Sequence, residues 1–154
     1  MQYSHGTAGR VFFVRFDNGD DVIAGLSLLA EKEKVSLASV NILGALRSAE
    51  LVCGPKEPEL PPEPNFVSFD DGREVIGFGT ITSRNGKPRI HLHASFGKKE
   101  ASLTGCLKKG NHTFITIEAV VSEIKGVSID RKIDKVSGID LVVFNASKNR
   151  SELI

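Results

Sequence analysis

The chain has no tryptophan, one tyrosine, one methionine and only two cysteines among its 154 residues. Cys53 and Cys106 stand far apart and belong to no C-x-x-C pair, which excludes a disulfide framework and an all-cysteine zinc site. Long hydrophobic runs are missing too. The longest nearly apolar stretch, "VIAGLSLLA", falls well short of the roughly 18 residues a membrane helix needs, and "MQYSHGTAGR" at the N-terminus lacks the apolar core of a signal peptide. A cytoplasmic protein without membrane contact is therefore expected. Charge of one sign is also lacking, since 20 Lys and Arg against 19 Asp and Glu leave a net charge of +1. Binding to DNA depends on neutralising phosphates, so any nucleic-acid surface must be local.

What is present fits a single domain, with 40% hydrophobic and 25% charged residues. "GRVFFVRF" (9–16) is dense in aromatic and β-branched residues and reads as a strand, and "DNGD" as a turn. A helix is expected from about Asp20 to Lys34, because Val22, Ile23, Leu26, Leu29 and Ala30 recur at helical spacing. Residues 37–53 read as two short strands meeting near Gly44. "GPKEPELPPEP", with five of the six prolines, excludes helix and central strand, and predicts an extended excursion over residues 54–64. Beyond Pro64 the pattern is almost wholly β. Five strand-like segments up to "HTFITIEAVVSEI" are separated by the glycine-containing turns "DDGR", "RNGK", "GKKE" and "KKGN", and the Asn-Gly of "RNGK" suits a two-residue type I′ hairpin. "IDLVVF" is expected to close the sheet ahead of a polar tail. The fold class is thus α+β, a mainly antiparallel meander with one principal N-terminal helix packed on it.

The chemistry concentrates in "RIHLHASFGKKEASLTGCL" (89–107). Strand alternation puts His91 and His93 on one face, and an even-length turn puts Cys106 on that same face, with His91 predicted directly opposite it. Two imidazoles and a thiolate at these spacings suit zinc and leave a fourth position for water. The alternative is two solvent-facing or hydrogen-bonded histidines and a small buried cysteine. Glu74, Arg89, Glu118 and His112 are the acid–base or charge partners within the same β region, and the sequence assigns no catalytic residue among them. The meander also brings "RNGK" and "KKGN" to one end of the sheet, so Arg84, Lys87, Lys108 and Lys109 are expected to form a basic patch for DNA phosphates or a small anionic ligand. "GKPR" lacks the repeated arginine of an AT-hook.

The ordered set "GRVFFVRF", "ILGALRSAELV", "DDGREVIGFGTI", "PRIHLHASF", "LTGCLKKGN" and "ITIEAVVSEI" resembles the plants-and-prokaryotes-conserved (PPC) domain family over Gly9–Phe144. The resemblance divides the chain into an N-terminal tail (1–8), a PPC-like domain (9–144) and a C-terminal tail (145–154). It implies a homotrimer that binds DNA or a protein partner, and a fold similar to that of acetolactate decarboxylase, in which an H-x-H strand and a later histidine hold zinc. His91 and His93 match that H-x-H. Prokaryotic members often carry a third histidine in a "GGHL"-like segment, where this chain has "TGCL" and hence Cys106. Two functions follow as expectations: a homotrimeric DNA- or partner-binding module, and a zinc-dependent enzyme acting on a small carbonyl or carboxylate substrate through His91, His93 and Cys106.

Overall fold

The computed structural model describes residues 1–145 and the backbone of 150–152. In chain order the elements are β1 (Gln2–Ser4), β2 (Thr7–Asp17), α1 (Val22–Glu33), β3 (Ala38–Pro55), β4 (Pro64–Phe69), β5 (Arg73–Arg84), β6 (Lys87–Lys98), β7 (Ala101–Leu107), β8 (His112–Lys125), β9 (Ile129–Ile133), β10 (Asp140–Phe144) and β11 (Arg150–Glu152). The α+β class expected from the sequence holds. Seven strands form one antiparallel sheet in the order β2-β8-β3-β5-β6-β7, with β4 paired to β3, and β7 returns to the far half of β3. Of the tail expected at 145–154, residues 146–149 and 153–154 lie outside the described residues, and β11 pairs with β1. Among the described residues no helix is long and apolar enough to cross a membrane.

Helix α1 starts two residues later than the spacing predicts. Asp21, in extended conformation, accepts the Ala24 N–H at 2.8 Å and so caps the helix. Lys34 ends it in the left-handed region at φ 56°, and the next amide, Val35 N–H, closes on Ala30 O at 2.9 Å. Val22, Ile23, Leu26 and Ala30 are buried against Val40, Ile42, Leu92, Ala94, Ala119 and Val121 on the inner face of the sheet. Buried Asn111 locks the helix start to the turn after β7. Its Oδ1 accepts Val22 N–H, and its Nδ2 donates to Asp21 Oδ1 and Lys108 O, at 2.9, 2.9 and 3.1 Å.

Two expectations change, and a third gains detail. Residues 38–55 are one strand rather than two: Gly44, at φ 139°, bends it, and the register against β8 slips there while pairing with β5 continues unbroken. The proline-rich excursion is closed at its base, where Pro55 faces Pro64 and Lys56 N–H donates to Glu63 O at 2.8 Å. The strand at 140–144 does not close the main sheet. Strand β8 already has β2 and β3 on its two edges, so β10 pairs instead with β9, and this hairpin docks on the sheet through Arg131 and Asp140.

Arg10 ties β2 to the end of α1 and to β8. Its Nε donates to Glu123 Oε2 at 3.0 Å and its Nη1 to Glu33 Oε2 at 3.1 Å. The bonds from Arg10 hold the Glu123 carboxyl at about 2, below its usual 4.5. A carboxylate depressed on folding stabilises the protein above its unfolded value and ceases to do so as pH falls through its folded value. Glu123→Gln is therefore expected to lower stability at neutral pH, and the gap to the parent protein should narrow between about 4.5 and about 2 in urea melts over that range.

Candidate metal centre

The hairpin of β6 and β7 turns at Lys99–Glu100, with Lys99 at φ 55°. This turn lies one residue beyond the centre the sequence predicts, and the register moves by two. Cys106 faces His93, not His91. A shift of two preserves the alternation of faces, so His91, His93 and Cys106 still project from the same side of the sheet. His91 Nε2 and His93 Nε2 stand 3.0 Å apart, with the rings edge to face at 4.9 Å between centroids. The donor atoms of all three residues lie within 4.8 Å of one another.

These residues fit a metal. Two nitrogens each about 2.0–2.1 Å from one tetrahedral ion stand about 3.3 Å apart, close to the separation found. Both histidines are exposed and Cys106 is half-buried, so the donors are reachable from solvent. Although the residue is exposed, partial desolvation of its ring lowers the His91 pKa, and the positive charges of His93, Arg131 and Lys108 lower it further, which keeps a ring nitrogen lone pair available for an ion. Lys108 Nζ lies 3.4 Å from Cys106 Sγ, a cation beside the sulfur.

Of the basic residues expected to cluster, Lys108 and Lys109 line a cavity of about 680 Å³ together with His91 and Cys106. Arg84 faces Asp140 at 3.5 Å, and Lys87, its cross-strand neighbour, is exposed at the turn. That turn adopts φ 51° at Asn85 and 74° at Gly86, as a type I′ hairpin requires. Of the four candidate partners only Arg89 lines the cavity. Glu74 borders a different hollow, Glu118 pairs with Arg15 and Leu43, and exposed His112 pairs with Ser48. The sequence reading missed Arg131 and Asp140, which also line the cavity. Their signal is the match of "IDRKI" to "DLVVF" across "DKVSG", where Asp134 Oδ2 accepts both Ser137 N–H and Oγ–H at 2.7 Å.

Across the outer face of the sheet one row runs Phe13, Val120, Asn41, Phe78, His93 and Cys106. On this face Val11, Phe13, Leu43, Ile76 and Phe78 are between 58% and 75% exposed, too many large apolar side chains on adjacent strands for a face that stays in water. The apolar area reaches the metal donors, because Phe78 and His93 are direct partners.

The sequence matches the family model for the Plants and Prokaryotes Conserved domain over residues 3–125. No curated protein matches it. Among solved structures, a metal-containing protein of Archaeoglobus fulgidus superposes with a TM-score of 0.83 at 24% identity, covering 93% of this chain and 99% of that one. A protein of Bacteroides thetaiotaomicron, described as a candidate DNA-binding protein, gives 0.75 at 20%, covering 91% and 98%. Acetolactate decarboxylase of Bacillus subtilis gives 0.52 at 15%, and 78% of this chain spans 54% of that enzyme. At these identities the likeness is one of fold.

Proposed function

Because the chain belongs to the Plants and Prokaryotes Conserved domain family, we propose that it acts as a homotrimeric module that binds DNA or a protein partner and holds zinc on each subunit. The observation that carries the assembly is the apolar outer face around Phe13, Leu43, Ile76 and Phe78. Burial of such a face between copies removes it from water, and a trimer is the assembly the family resemblance implies. The DNA role draws on the fold neighbour described in those terms and on the basic residues Arg84, Lys87, Lys108 and Lys109. A trimer repeats that patch three times, which compensates for a net charge of only +1 per chain. His91, His93 and Cys106 are the zinc ligands in this reading, and bound zinc would polarise an oxygen of water or of a ligand.

Light scattering tests the assembly. The parent protein should have three times the chain mass, and Ile76→Glu/Phe78→Glu should shift it to monomer with its circular dichroism unchanged. A monomeric parent removes the proposal. For DNA, a labelled duplex should be retarded at low salt and released as salt rises; unchanged mobility at excess protein leaves a partner protein as the target.

The donor cluster beside a cavity favours a second reading, a zinc-dependent enzyme on a small carbonyl or carboxylate substrate. Turnover of such a substrate that stops on chelation and returns with zinc would establish it.

A further inference from the structure

The cavity beside the metal donors has a charge imbalance that assembly and metal binding leave unused. Arg89, Lys108, Lys109 and Arg131 line it against one carboxylate, Asp140, which already faces Arg84 at 3.5 Å. Aliphatic side chains, among them Ile23, Ile90, Leu107 and Leu141, make up most of its remaining wall, with Ser27 and the metal donors His91 and Cys106 completing it. A space of about 680 Å³ is of small-molecule size and does not admit a DNA duplex.

The cations sit on braced elements. Arg131 Nε donates to Thr82 Oγ1 at 2.7 Å and Nη1 to Asp140 O at 2.6 Å, which fixes the guanidinium plane. Its Nη2 has no protein partner among the described residues. The turn that carries Lys108 and Lys109 is pinned to helix α1, since Gly110 N–H donates to Asp21 Oδ2 at 2.6 Å and Asn111 bonds Lys108 O. One fixed guanidinium and three further cations with one carboxylate among them, itself shared with Arg84, call for negative charge from a ligand, and the aliphatic part of the wall calls for an apolar body attached to it.

We propose that this cavity binds a small organic carboxylate, its head held by Arg131, Arg89, Lys108 and Lys109 and its short apolar body against Ile23, Ile90 and Leu107. The proposal deepens the enzyme reading of this cavity by naming the ligand class and the groups that hold it, and the binding itself requires neither zinc nor assembly. Hexanoate, its neutral analogue hexanamide and inorganic phosphate, titrated into the full-length protein and followed by amide NMR shifts, test it. Hexanoate should give saturable shifts at Ile90, Lys109 and Arg131, and should bind about tenfold or more tightly than hexanamide, the effect of a charge-assisted contact. Arg131→Gln should weaken hexanoate by about tenfold. Because Arg131 also anchors the β9–β10 hairpin, Arg89→Gln/Lys109→Gln is the second variant, expected to lose affinity to the same degree without a change in melting temperature. His93 is a metal donor that does not line the cavity, so the same titration on His93→Ala protein should be unaltered, which separates this site from the zinc proposal. Equal binding of hexanamide, shifts with phosphate but none with hexanoate, or unchanged hexanoate affinity in the Arg89→Gln/Lys109→Gln variant would each overturn it.

Discussion

His93→Ala is expected to lower zinc affinity at least about 100-fold, measured by competition with a chromophoric chelator. Replacing a residue that only orients a ligand already costs about 10–100-fold, so losing a ligand sets that as the floor. His93 is the central donor of the three: its Nε2 is 3.0 Å from that of His91, and its backbone faces Cys106 across the ladder. Removing it leaves one imidazole and a sulfur with Lys108 3.4 Å away. Exposed His93 packs no core, so secondary structure and melting temperature of the metal-free protein should stay as they were. Cys106→His should keep zinc, with a harder third ligand that peroxide does not oxidise. Exposed His112, on β8 opposite Ser48, supplies the control, and His112→Ala should bind zinc like the parent. Full zinc affinity in His93→Ala protein would disprove the assignment of these three ligands.

Where a local pattern has one physical outcome, the sequence was a sufficient guide. Helical spacing of Val22, Ile23, Leu26 and Ala30 located α1, and Asn85-Gly86 located the β5–β6 turn, because few other backbones satisfy either pattern. The metal face was legible for a related reason. Alternation along β6 and β7 depends only on whether the register is even, so Cys106 stayed with the histidines although the turn moved to Lys99–Glu100. Which histidine it faces was not legible, since "GKKE" allows several even turns of similar energy and only the left-handed Lys99 selects one. Strand β9 escaped notice because "IDRKI" sets three consecutive charged residues between two isoleucines, a pattern that reads as a polar loop, and "IDLVVF" without that partner was assigned to the main sheet. Its importance comes from tertiary placement: Arg131 meets Thr82, forty-nine positions earlier in the chain. The apolar outer face could not be inferred either, as Phe13, Leu43 and Phe78 come from three separate strands and become neighbours only through the order of the sheet.

Gly79→Ala is expected to destabilise the fold by about 3 kcal/mol and to weaken zinc binding at the same time. In "IGFGTI" the outward side chain is Phe78, and both flanking glycines face the interior. A Cβ at Gly79 would stand 2.4 Å from His91 O and 2.8 Å from Leu92 Cα. Both are backbone atoms of β6, so no rotamer change relieves the overlap and the two strands must separate. The strand displaced carries His91, the first of the proposed zinc ligands, which makes this one methyl group act on stability and on metal affinity together. The backbone at Gly79 is not in the left-handed region, so the effect is steric. Gly97 provides the contrast on the same pair of strands: nothing lies within 4 Å of its added Cβ, and Gly97→Ala should change stability by no more than about 0.5 kcal/mol. Urea denaturation of the metal-free proteins, followed by zinc titration of each, separates the two effects. If Gly79→Ala protein unfolds at the same midpoint as Gly97→Ala protein, the close approach of β5 and β6 at His91 is not what the sequence GFG maintains.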